Sequence, residues 1–176
     1  MDDVLLSLDL GKTTGWAVLA PGLRPVWGFW ELPGTEATRN MALENAIEDA
    51  VSFHHPTRAI IEAPLPLGAY VYHGHDEDHW QTNAAAVRQQ LGLRGCALAQ
   101  LYRDNVPCSE VSAALVRSTL IGTSRGEKKG DIKLAIQRYL HRHGWMVSDL
   151  NACDAVAVGL YHAHQMGWRV ADGSIS

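Results

Sequence analysis

Three acidic residues stand where acids are costly. Asp9 closes the apolar run Val4-Leu5-Leu6-Ser7-Leu8, Glu62 closes Ala59-Ile60-Ile61, and Asp154 opens onto Ala155-Val156-Ala157-Val158. Apolar surroundings do not accept an unpaired charge, so a cation, a proton or an Arg must compensate each one. Hard oxygen ligands from three distant segments suit Mg²⁺ or Mn²⁺. Two such ions about 4 Å apart can activate a water and stabilise the leaving oxygen in phosphodiester cleavage. Asn151 precedes Asp154 by three residues and shares its face if the segment is helical. Asp149 reads equally as a helix N-cap or as an outer ligand.

Gly11-Lys12-Thr13 suggests a different chemistry, a phosphate-binding P-loop. That motif needs a second glycine five positions before the first, and Leu6 stands there, inside an apolar strand. The glycine turn therefore serves Asp9. Lys12 reads as a residue approaching a phosphate or as an exposed turn lysine.

For these acids to meet, the chain must bring its strand ends together. Strands are expected at about 4–10, 15–19, 25–32, 58–62 and 106–111, and helices at about 38–53, 82–103, 113–121, 131–143 and 150–166. Thr35 or Thr38, Ser112, and Ser148 or Asp149 are the expected caps. The order βββαβαβααα predicts an α/β fold: a five-stranded mixed sheet, three strands antiparallel and two parallel, with helices on both faces. That is the ribonuclease H-like arrangement, in which the first and fourth strands are neighbours and Asp9 lies beside Glu62. Trp16, Trp27 and Trp30 are expected in the sheet core or on its face.

The 176 residues suit one domain spanning 1–176, and 47% hydrophobic with 19% charged residues is ordinary for a soluble globular protein. No apolar run approaches a membrane span, and the acidic start is no secretory signal. Three cysteines, Cys96, Cys108 and Cys153, form neither a disulfide framework nor a zinc pattern, which implies a reduced, cytoplasmic setting. Net charge is −4, yet residues 117–142 hold seven basic residues against two acidic ones, leaving −9 elsewhere. This reads as a phosphate-binding patch containing Lys133, or as a solvated helix face.

The blocks "SLDLGKTTGWAVL", "AIIEAP", "QTNAAAVRQQLGLRGCALAQL", "VRSTLIGTSRGEKKGDIKLAIQRYL" and "DLNACDAVAVGLYH" resemble RuvC-type Holliday junction resolvases, especially divergent phage and bacterial forms. The resemblance covers nearly the whole chain. It implies a metal-dependent endonuclease acting as a homodimer on branched DNA, a four-way junction or fork, with no nucleotide cofactor and no membrane. Asp9, Glu62 and Asp154 match the metal-binding carboxylates. Asn151 falls where the family usually has an acid, which implies a weaker metal site unless Asp149 substitutes. Arg125, Lys128 and Lys129 fall in the loop that contacts the DNA backbone. Helix 82–103 matches the dimer helix, and Tyr70 or Tyr72 falls near the family's base-wedging aromatic.

His73, His75 and His79, among Asp76, Glu77 and Asp78, read as a solvated or DNA-facing loop, with a soft metal as the alternative. Sugar kinases and actin-like ATPases share the Asp-Leu-Gly turn, but they need two such domains. The other readings are a noncatalytic branched-DNA binder, motivated by Asn151, and a ribonuclease H-like nuclease for forks or RNA–DNA hybrids.

Overall fold

The computed structural model describes residues 3–63, 78–122 and 129–171. Among the described residues, ten elements follow one another as β1 (Leu5–Asp9), β2 (Thr13–Leu19), β3 (Val26–Glu31), α1 (Glu36–His54), β4 (Arg58–Ala63), α2 (Asp78–Arg103), β5 (Cys108–Ser112), α3 (Ala113–Ile121), α4 (Lys129–Arg142) and α5 (Leu150–Gln165). The sheet order is β3-β2-β1-β4-β5. β1, β2 and β3 pair antiparallel, while β4 joins β1, and β5 joins β4, in parallel. The expected mixed sheet and its element order are borne out.

Boundaries moved where local chemistry outweighs periodicity. β2 starts at Thr13 because the turn before it is tied down: the Thr14 hydroxyl donates to the Gly11 carbonyl at 2.9 Å and accepts from the Gly11 amide at 3.2 Å. α2 begins at Asp78 rather than 82, and α4 at Lys129 rather than 131. β5 starts at Cys108, after Pro107, which has no N–H to pair. Thr35, Ser112 and Asp149 are the caps of α1, α3 and α5.

Strand alternation divides the core between the two faces of the sheet. Leu6, Leu8 and Ile61 pack with Leu43 and Ile47 of α1 and Leu93, Ala97 and Leu101 of α2. Leu5 and Ile60 face the other way, onto α3, α4 and α5. Trp16 and Trp30 stack on the α1 side with centroids 5.9 Å apart, half-buried on the sheet face.

α5 carries the small residues Ala152, Ala155, Ala157 and Gly159 on its buried length. They let its backbone approach the sheet closely. The Ser7 hydroxyl, fully buried, donates to the Ala155 carbonyl at 2.9 Å. A Cβ at Gly15 would fall on the Asn151 carbonyl, and one at Gly159 would strike Leu19.

Gly15→Ala should therefore push α5 off β2. Overpacking of this kind costs about 1–3 kcal/mol, or roughly 2–4 °C of Tm for each kcal/mol in a chain of this size. A thermal melt unchanged from wild type would contradict the contact.

Candidate active site

The register of β1 against β4 ends on Leu8↔Ile61, so the next step along both strands sets Asp9 beside Glu62. Alternation turns both side chains to the face that Leu5 and Ile60 share, the face covered by α5. Asp154 comes down from the first turns of α5, 92% buried by its surroundings. The three acids singled out in the sequence thus line one cavity of about 460 Å³, with Asn151, Lys133 and Arg117. Gln90 and Arg94 of α2 close another wall, and Arg94 is held to Glu110 of β5 by a 2.6 Å ion pair.

Electrostatics follow from this crowding. Burial, then the charges of Glu62 and Asp154, push the Asp9 carboxyl up to about 8, with Lys133 and Arg117 opposing. Lys133 reaches Asp154 Oδ2 at 2.7 Å. Burial alone would lower the Lys133 ammonium, but the hydrogen bond and charge of Asp154, then Asp9 and Glu62, reverse that and hold it above its usual range.

The other candidate residues take up different places. Lys133, read as part of a DNA-facing patch, points inward onto Asp154, because an ammonium beside clustered carboxylates gains more than one in water. Asp149 is the N-cap of α5: its Oδ1 accepts from the amides of Asn151 and Ala152, both at 2.9 Å. Lys12 is exposed at the β1–β2 turn, outside the cavity lining. Tyr70, Tyr72, Arg125, Lys128, His73 and His75 lie outside the described residues, as do the side chains of Lys129 and His79.

Sequence reasoning missed Arg117 as a site residue. The signal was present: β5 runs parallel to β4, pairing Glu62 with Val111, so α3 starts at the same end of the sheet. Arg117 lies four residues after Ala113, on the same helix face, and both line the cavity.

The donor set fits a hard divalent ion, with carboxylates from β1, β4 and α5 and the neutral Asn151 amide beside them. Among the described residues, no three His, Cys, Asp or Glu side chains are already gathered as a metal site. Asp154 is engaged by Lys133.

The sheet order, with parallel β1 and β4 ending in carboxylates under a helix that adds a third, is that of a ribonuclease H-like fold. The chain is a relative of proteins named crossover junction endodeoxyribonuclease RuvC. It is 29% identical to the one from Granulibacter bethesdensis over 174 residues, covering 95% of this chain and 88% of that protein. It is 28% identical to that of Paramagnetospirillum magneticum, covering 93% and 92%. Among solved structures, Thermus thermophilus RuvC bound to a Holliday junction superposes with a TM-score of 0.62 at 13% identity, over 94% of this chain and 96% of that one. The yeast mitochondrial Holliday junction resolvase Ydc2 gives 0.53 at 9%, over 92% and 83%. No protein-family model matches.

The raised Asp9 carboxyl makes a pH prediction for the metal-free protein. The folded state holds a proton that the unfolded chain, near 3.8, has already released, so this contribution is present at low pH. It is lost as pH rises through about 8. Melts in EDTA from pH 4 to 9 should show wild type falling relative to Asp9→Asn. Parallel curves would refute the assignment.

Proposed function

We propose that this chain is a metal-dependent, structure-selective endodeoxyribonuclease that cleaves phosphodiester bonds in branched DNA, as a Holliday junction resolvase does. The observation that carries the reading is the meeting of Asp9, Glu62 and Asp154 in one cavity with the cationic side chains of Arg94, Arg117 and Lys133. Similarity to junction endonucleases over nearly the whole chain supports it.

Asp9 and Glu62 would hold Mg²⁺ or Mn²⁺, with Asp154 and the Asn151 amide at the rim of the set. A divalent ion there supplies Lewis-acid activation of water and charge stabilisation at the phosphate. The carboxylates fix that charge at the strand ends. Arg117, half-buried on the cavity wall, directs its guanidinium to a phosphate oxygen and stabilises the charge that builds on it. Arg125, Lys128 and Lys129 belong to the basic stretch that binds the DNA backbone, and Tyr70 or Tyr72 is the candidate base wedge.

The chain works as one nuclease domain in a homodimer built on α2, so that two cavities address two strands of a junction. Exposed Leu91 and Tyr102 on that helix support this. No described helix is long and apolar enough to cross a membrane. Three free cysteines suit a bacterial cytoplasm.

The test is cleavage of a labelled four-way junction, beside linear duplex, in Mg²⁺, Mn²⁺ and EDTA. Asp9→Asn and Glu62→Gln should keep junction binding and lose cleavage by roughly 10³-fold or more. Equal cleavage by Asp9→Asn would refute the site. In a binding titration against salt, Arg117→Gln should reduce the dependence by about one phosphate contact.

A further inference from the structure

We propose that the Lys133 ammonium is a built-in cation of the active site, so that each chain, free of DNA, takes one divalent ion on Asp9 and Glu62 rather than two. This rests on the metal-dependent reading above and sets the ion count for that site.

The geometry carries it. Lys133 belongs to a basic stretch, yet its Nζ turns into the cavity and meets Asp154 Oδ2 at 2.7 Å. The pair is largely removed from water, with side chains 26% and 10% exposed. Taking the ammonium away would leave a buried carboxylate without its neutralising charge, a strongly unfavourable state. Lys133 therefore supplies Asp154 with the positive charge that a second cation would otherwise bring.

The charge of the cavity points the same way. The cavity holds three carboxylates and, at position 151, a neutral amide. With Asp9 releasing its proton on binding the ion, three negative charges against Lys133 and Arg117 leave −1, Arg94 being paired with Glu110. One divalent ion brings the cavity to +1, and a second would bring it to +3. Asn151 and Lys133 thus act in the same direction: one withholds a negative charge and the other supplies a positive one. Lys133 is a positioning residue that holds Asp154 in place through the 2.7 Å contact while a single ion sits on the strand-end pair. The two-ion expectation from the sequence assumed an acidic cluster with no internal cation.

The experiment counts Mn²⁺ bound per chain without DNA, from the electron paramagnetic resonance signal of free Mn²⁺. The proteins are wild type, Lys133→Arg, Lys133→Gln and the double variant Lys133→Gln/Asn151→Asp. Wild type and Lys133→Arg should bind one ion. The double variant should bind two, its second ion at least about tenfold tighter than any second ion of wild type, a difference of about 1.4 kcal/mol. Two ions of similar affinity in wild type overturn the proposal and leave the metal-dependent reading standing. A double variant that still binds one ion also overturns it. No ion bound by wild type, with no metal-dependent junction cleavage, removes both readings. If Lys133→Gln disturbs folding, the wild-type count alone decides.

Discussion

Everything at this site depends on one electrostatic constraint. Two carboxylates end adjacent parallel strands and face the same side, and a third descends on them from a buried helix. Like charges that close, and partly out of water, do not all ionise unless a cation joins them. The raised Asp9 carboxyl is the sign of that excess, and the inward turn of Lys133 is the chain's partial answer to it. A protein seeking only stability gains little from such a cluster. Its presence is an argument from energy that the charge is kept for a ligand of opposite sign.

The fold converts this constraint into geometry through small residues. Asp154 can join the strand-end acids only if α5 lies close on the sheet. Alanines on the helix, Gly159, and Gly15 on β2 permit that approach. Ser7 then fixes the helix's position along the strands through its bond to the Ala155 carbonyl. The apolar bulk on the other face, from α1 and α2, holds the sheet rigid behind the site. Packing and chemistry are therefore separate layers, joined where α5 begins.

Much of this was legible in the sequence because strand-end acids leave a plain signature: an apolar run interrupted by a charge. Asp9, Glu62 and Asp154 were found that way, and the element order then required β1 and β4 to be neighbours. The residues that escaped were cations. Lys133 looked like one more member of a basic surface stretch, and only the register of α4 against α5 turns it inward. Arg117 was counted with the same stretch, since its place in the cavity depends on where β5 ends relative to β4. Asp149 showed the limit of reading from residue type: cap and ligand use the same oxygens, and the amides of Asn151 and Ala152 decide between them. Helix starts were read late where polar, charged first turns hide the apolar period, as at Asp78 and Lys129.

What Gly15 of β2 faces on α5 is the backbone carbonyl of Asn151, not its side chain. One residue therefore serves two masters with different atoms. Its main chain lies against Gly15 whatever the side chain is, while the residue also lines the cavity. Selection can exchange amide for acid at this position without renegotiating the architecture. It is a dial on the charge of the cavity that can be turned by a single codon.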